Sequence, residues 1–267
     1  MVKLWLVSII LPTYNGNSVW IMQAINSIIA QTYNNRELII INDASTNDIE
    51  KTILQYVNKD NRIQYFKNEE NLKLTKTLNK WIALSQGEYI ARIDDDDIWC
   101  DPEKLAKQID FMEKNTSYGL CGTCVINIDE EGSETSRTIV PQKNEDIKSR
   151  LMRFNQFAHA SMVFRKKIVW ELGAYNPVYN GAEDYELRLR IWCKYKLANL
   201  PDFCLKYRHN TQWVSVNMNW TQRWYGIKIA YTYRHNYPGF WKYIIPRLII
   251  GVLPKNILQA ILTVIKK

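Results

Sequence analysis

Over the first hundred residues, short apolar runs alternate with longer segments whose apolar positions recur at helical spacing. Buried strands are expected at 5–11, 37–42, 62–66 and 88–93. Between them, 18–31, 47–57 and 73–85 read as helices, with Trp20, Ala24, Ser27 and Ile28 on one face and Leu74, Leu78, Trp81 and Ile82 on another. This βα alternation predicts an α/β fold with a largely parallel sheet. Asp101-Pro102-Glu103 reads as an N-cap, a first-turn proline and a favourable acid, opening a helix to about Lys114. Strands near 119–128 and 135–140 follow, separated by the turn-rich Asp129 to Ser133. Beyond Phe157 the pattern gives a strand at Ala160 to Phe164, a short helix ending at Gly173, and a helix from about Glu183.

The length and a 46% hydrophobic content allow a substantial core, as one large domain or two small ones. The +8 net charge is uneven. No acid follows Asp202, and ten Lys/Arg lie between Phe203 and Lys267, so 25 bases against 27 acids leave residues 1–202 at −2. Five cysteines are too few and too odd in number for a disulfide framework and suit reduced, cytosolic thiols. The Cys121–Cys124 pair has no second pair or nearby His and reads as strand thiols rather than a metal or redox site. The run from Leu4 to Leu11 is too short for a signal peptide. The best spanning candidate, Tyr243 to Ile265, is interrupted by Pro246, Arg247, Pro254 and Lys255.

Ligands of such sheets sit beyond the carboxyl ends of the strands, which points to Thr13–Gly16, Asn42–Thr46 and Asp94–Asp97. Four adjacent carboxylates raise one another's pKa and call for a compensating cation. A magnesium or manganese ion that also holds substrate phosphates meets that need, and a solvated acidic loop capping the next helix is the alternative. Tyr14 offers a face for stacking a base and Asp43 an acceptor for a base N–H. The same two loops also read as a plain turn and a helix cap.

Taken in order, Pro12-Thr13-Tyr14-Asn15-Gly16, Ile41-Asn42-Asp43-Ala44-Ser45-Thr46 and Gly87 to Asp97 resemble the nucleotide-sugar half of a family 2 glycosyltransferase of the GT-A fold. His159 to Arg165 and Gly181-Ala182-Glu183-Asp184-Tyr185-Glu186 resemble its acceptor half, and the likeness spans about residues 4 to 215. It implies a Rossmann-like nucleotide-binding sheet within a mixed central sheet with flanking helices, over residues 1–215. The nucleotide-sugar half would be 1–100 and the acceptor half 101–215, followed by a basic aromatic helical tail at 216–267. It further implies that Pro12, Tyr14, Asp43 and Lys76 bind the nucleotide, and that Asp94 and Asp95, within the DxD element, meet the ribose and donor sugar. Asp96 would ligate a divalent metal (Mn2+ or Mg2+), His209 would approach that metal or the diphosphate, and His159 and Glu183 would line the sugar or acceptor pocket.

By the same resemblance Asp184 is the general base of an inverting transfer. One hexosyl or N-acetylhexosaminyl group would pass from a nucleoside-diphosphate sugar, with a UDP-sugar the expected donor, to a glycan or lipid-linked glycan, as in lipopolysaccharide or capsule synthesis. The chain departs from the family in carrying Asn42 and Ala44 where Asp and Gly are common, and in having Gln222-Arg223-Trp224 instead of the QxxRW of processive synthases. A catalytically silent sugar-nucleotide or membrane-binding protein is one alternative. A sugar nucleotidyltransferase is another, but Pro12–Gly16 is not a glycine-rich basic phosphate loop.

Residues 203–267 combine ten bases with four tryptophans and six tyrosines. Helical spacing appears in Trp220, Trp224, Ile227 and Tyr231, and again in Ile257, Leu258, Ile261, Leu262 and Ile265. Such a composition suits peripheral contact with an anionic membrane on its cytoplasmic face, and the competing expectation is packing on the catalytic domain. A nucleic-acid partner is not expected, because it gives no role to Asp43, the acidic run or Asp184.

Overall fold

The four apolar runs of the first hundred residues become β1 (Val7–Thr13), β2 (Arg36–Asn42), β3 (Ile63–Lys67) and β4 (Tyr89–Arg92). They pair in parallel in the order β3-β2-β1-β4. Every residue of β1, β2 and β4 is buried, as expected of strands covered on both faces. The connecting helices are α1 (Ser18–Ile29), α2 (Ile49–Val57) and α3 (Leu74–Leu84). Asn17 caps α1 by accepting from the backbone N–H of Val19 and Trp20. The computed structural model describes residues 4–152, 156–210 and 220–237, and beyond them 240–242, 244, 245 and 248.

The second half extends the same sheet with reversed strands. β5 (Ile98–Trp99), α4 (Lys104–Lys114), β6 (Tyr118–Ile128), β7 (Glu134–Thr138), α5 (Asn144–Leu151), β8 (Val163–Arg165), α6 (Lys166–Glu171), α7 (Glu183–Trp192) and β9 (Lys196–Arg208) complete the mixed sheet. Its order continues β4-β8-β6-β9-β5, with β7 on β6. β8 runs antiparallel to both β4 and β6, while β9 lies parallel to β6 over most of its length. One apolar cluster fills each face of the sheet. The first is built around Ile10, Leu78, Trp81 and Phe164, and the second around Ile9, Ile25, Leu105 and Val163.

Two expectations change. α4 begins at Lys104, because Asp101 uses its side chain to accept from Glu103 N–H and its carbonyl to accept from Lys104 N–H, closing a turn ahead of the helix. The strand expected at 160–164 is shortened to β8 by a 3-10 turn at His159–Ser161. Of the two expectations for the tail, its first helix meets that of packing on the catalytic domain. That helix, α8 (Trp220–Thr232), packs Ile229 and Ala230 into the core beside α7, and Tyr233 donates from its hydroxyl to Glu186. The repeat around Ile257 to Ile265 and Trp213 lie outside the described residues. Cys121 and Cys124 are buried on β6, and all five thiols are free.

Candidate active site

The loops after β1 and β2 are knitted together. Asn15 N–H donates to Ser45 Oγ (2.8 Å), and Asn15 Oδ1 accepts from Thr46 N–H (2.8 Å). Asn42 supports the turn by accepting Ser45 N–H at 2.7 Å and donating to the Tyr65 hydroxyl at 3.0 Å. Ala44 sits at φ 62°, the left-handed region where glycine is at ease, so the departure from the family pattern keeps the turn under strain. Pro12 lies within buried β1, and Tyr14 stands 51% exposed above these loops, its ring open for stacking.

Asp43, by contrast, is buried and already occupied. Its Oδ1 accepts from Asn68 Nδ2 (2.7 Å), Thr77 Oγ1 (2.9 Å) and Leu72 N–H (3.0 Å), and Oδ2 accepts from Lys73 N–H (3.1 Å). The carboxylate therefore holds the loop leading into α3, and remaining acceptor capacity lies on Oδ2. Lys76 stands exposed on α3, one turn into the helix.

At the end of β4 each aspartate has its own environment. Asp94 receives both terminal nitrogens of buried Arg92, at 2.9 and 2.5 Å. Asp95 accepts from Thr13 Oγ1 at 2.5 Å, and a Cβ at Gly16 would collide with both groups, so only glycine fits there. Burial first, then the neighbouring Asp96, pushes the Asp95 carboxyl up to about 7. Asp96 Oδ2 accepts from Asn210 Nδ2 at 2.8 Å. Asp97 is fully buried; its Oδ1 accepts from Arg208 N–H at 2.9 Å, and burial with Asp96 and Asp94 holds it well above the usual carboxylate range.

Arg208, 1% exposed, is the clasp of this end of the site. Its Nε donates to the Asp96 carbonyl (2.9 Å), Nη1 to the carbonyls of Asp129 and Glu130, and Nη2 to Gln23 Oε1 (2.7 Å). Its guanidinium carbon lies 5.1 Å from the Trp20 ring centroid. His209, next in the chain, is exposed, and its Nε2 is 2.9 Å from Asn127 Oδ1 on β6. Ligation of a metal through that nitrogen requires giving up Asn127.

Asp184 sits in the first turn of α7. Its Oδ1 accepts from Tyr185 N–H (2.6 Å) and its Oδ2 from Arg188 Nη2 (2.7 Å). Arg188 is wholly buried and also donates to the Phe157 carbonyl at 2.9 Å. Glu183 is 3% exposed and accepts from Gly181 N–H at 2.5 Å; burial and then Asp184 raise its carboxyl to about 7. His159 pairs with the Tyr175 hydroxyl at 2.7 Å, and burial together with Arg92 and Arg188 keeps its imidazole neutral, its pKa well below the ordinary value.

The two halves meet on these groups. Tyr207, on β9, has its hydroxyl pKa raised by burial first and then by Asp97, Asp94, Asp96 and Asp184, so its ring feels the acidic run and Asp184 together. α3 makes the second connection. Thr75 donates to Asn180 Oδ1 at 2.9 Å, while Asn79 and the Tyr175 backbone exchange two bonds of 2.7 and 2.9 Å. Arg92, Arg188, Arg208, Tyr175 and Tyr207 went unread in the sequence. Only Arg92 and Arg208 carried a signal, as bases adjoining motifs already singled out.

Among the described residues no three His, Cys, Asp or Glu side chains are grouped to hold a metal. A magnesium or manganese ion that draws most of its shell from phosphate and water needs only one or two carboxylates. Asp95 and Asp96 offer two such carboxylates, adjacent at the end of β4; burial first and then Asp96 raise the Asp95 carboxyl, a cost that a bound cation offsets. The donor set fits such an ion.

Residues 8–173, more than half of the chain, match the Glycosyl transferase family 2 domain. An uncharacterized glycosyltransferase of Methanocaldococcus jannaschii, MJ1057, is 35% identical over 207 residues, 76% of this chain and 70% of that protein. The amylovoran biosynthesis glycosyltransferase AmsE of Erwinia amylovora is 30% identical over 263 residues, 94% of this chain and 96% of its own. Among solved structures, S. aureus TarS 1-349 in complex with UDP-GlcNAc superposes with a TM-score of 0.69 at 17% identity, covering 87% of this chain and 67% of that one. The mannosyltransferase PcManGT of Pyrobaculum calidifontis, in complex with GDP-Man and Mn2+, gives 0.67 at 15% identity, covering 92% and 69%.

Proposed function

The chain belongs to glycosyl transferase family 2, a family of nucleotide-sugar-dependent glycosyltransferases, and from that premise we propose an inverting, metal-dependent transfer of one sugar from a UDP-sugar to a hydroxyl. The observation that carries this reading is the bonding of the two halves at the site: Arg208 and Asn210 hold Asp97 and Asp96, and α3 reaches Asn180, four residues before Asp184. Tyr14 stacks on the base and Asp43 Oδ2 accepts from it. Lys76 lies within reach of the nucleotide from α3, Asp94 meets the ribose and donor sugar, and His159 and Glu183 close the pocket. Asp96, with Asp95 beside it, would hold a divalent ion, and the chemistry that ion would supply is neutralisation of charge on the departing nucleoside diphosphate. His209 joins it only by releasing Asn127.

Asp184 removes the proton from the acceptor hydroxyl as its oxygen attacks the anomeric carbon from the side opposite the leaving diphosphate. The buried Arg188 fixes one carboxylate oxygen, and the other lies at the first turn of α7, accepting from Tyr185. The acceptor is a glycan, free or lipid-linked, and the enzyme works on the cytoplasmic side of a membrane in polysaccharide synthesis. The match over 96% of AmsE, an amylovoran biosynthesis glycosyltransferase, supports a biosynthetic role.

Asp184→Asn is expected to lower turnover by about 10²- to 10⁴-fold while UDP with manganese still raises Tm. It also removes the charge facing Arg188, so Asp184→Glu serves as a second variant. Normal nucleoside-diphosphate release by Asp184→Asn would sink the assignment of the base. Screening UDP, GDP, CMP and dTDP by thermal stabilisation, with and without manganese, tests donor and metal together, since stabilisation follows affinity. Selective stabilisation by GDP would overturn the uridine assignment.

A further inference from the structure

The tail divides its apolar residues between two faces. Ile229, Ala230, Phe240 and Ile244 are buried against the catalytic domain. On the other side Trp224 and Tyr231, seven residues apart, are each 54% exposed, and Trp241, Ile245 and Leu248, spaced by four and three, are 69, 53 and 42% exposed. The buried Phe240 links two of the exposed rings: Tyr231 meets it at 6.2 Å and Trp241 at 5.1 Å, both edge-on. Arg234 lies 4.0 Å from the Tyr231 centroid, and exposed Lys242 follows Trp241. Aromatic residues at this density, edged by bases in a segment without a single acid, match the boundary of an anionic bilayer, where rings sit at headgroup depth and bases meet lipid phosphate. No helix among the described residues is long and apolar enough to cross the membrane.

The start of α8 fixes which part of the enzyme this face carries to the lipid. Gln222 lies against Gly181, where a Cβ would come within 2.6 Å of its Nε2, and Gly181 is three residues before Asp184. Tyr225 meets Tyr179 edge-on at 5.5 Å. Trp224 precedes Tyr225 in α8, about 100° round the helix from that contact and turned away from Gln222. Val178, in the same acceptor loop, is 57% exposed. We infer that the exposed Trp224–Leu248 stripe lies in the interface of an anionic membrane, setting the 176–184 loop against the lipid, so that the acceptor hydroxyl is carried on a lipid anchor. This rests on Asp184 marking the acceptor side.

The test uses the full chain and two kinds of vesicle, phosphatidylcholine alone and phosphatidylcholine with 30% phosphatidylglycerol. Co-sedimentation is expected to be at least tenfold stronger with the anionic vesicles, and at least tenfold weaker for the double variant Trp241→Glu, Ile245→Glu, whose Tm rise with UDP and manganese is unchanged. Hydrogen exchange on bound vesicles is expected to slow over 224–248 and over 176–184, and not over α2. Equal binding by the double variant, or a concentration-dependent dimer in light scattering that buries the same residues, would overturn the membrane face. Protection of 224–248 with 176–184 unchanged would overturn the lipid-anchored acceptor. None of these readings needs turnover, so a failed Asp184 assignment is seen separately in the Asp184→Asn assay.

Discussion

Lys104 shows what a buried charge does when its only polar partner is neutral. It is 0% exposed, donates to Gln108 Oε1 at 2.7 Å and lies 4.0 Å from the Trp99 centroid; burial pulls its pKa down to about 8. Because the unfolded chain binds this proton more tightly than the folded one, stability is expected to rise as pH increases from about 8 towards 10.5. Lys104→Met should remove that rise and leave Tm at pH 7 equal or higher, measurable by melts from pH 7 to 10. Glu183 has the opposite sign. Its folded pKa of about 7 exceeds the ordinary 4.5, so the folded state holds the proton more tightly, and stability is lost as pH rises from about 4.5 to 7. Glu183→Gln copies the protonated shape and should flatten that slope, raising Tm at pH 8 relative to wild type. Arg208→Met strands three carbonyls and Gln23, and a loss of about 3 kcal/mol in urea unfolding is expected. The burial of these residues was opaque in the sequence, since composition records charge and only the packed chain records where it lies.

Among the elements, the first four strands and three helices were legible to within two residues, because full burial writes continuous apolar runs and one-sided burial writes a 3.6-residue period. β9 was not. Pro201 and Asp202 interrupt its thirteen residues, and its pairing with β6 changes register between Thr123 and Val125, so neither a continuous run nor an alternation survives. β5 is two residues long and gives no period at all. α3 was read for its apolar face, yet its polar face joins the halves. Thr77 anchors Asp43, Thr75 reaches Asn180, and Asn79 holds Tyr175. Asn79→Leu keeps the helix and cuts both bonds to Tyr175. Its expected signature is a lower kcat with little change in the Tm rise produced by UDP, because the Asp43 anchor is intact. A matching loss of UDP stabilisation would show that α3 serves the nucleotide alone.

At the scale of the whole molecule, the rule that ligands gather at strand ends located Thr13–Gly16, Asn42–Thr46 and Asp94–Asp97 before any coordinates, and the fold brings these loops into mutual contact. That rule works because parallel strands all end on one edge, whatever their side chains. It says nothing of β9, which enters from the second half, and the acidic run depends on β9. Asp97 and its partner Arg208 stand 111 positions apart. During synthesis at about 5–20 residues per second, Arg208 is joined to the chain about 5 to 20 s after Asp97. For that interval the emerging chain carries four neighbouring carboxylates on an open strand end, and Asp97 has to remain hydrated. The acidic run can therefore be seated only after β9, the last strand in chain order among the described residues, has been made.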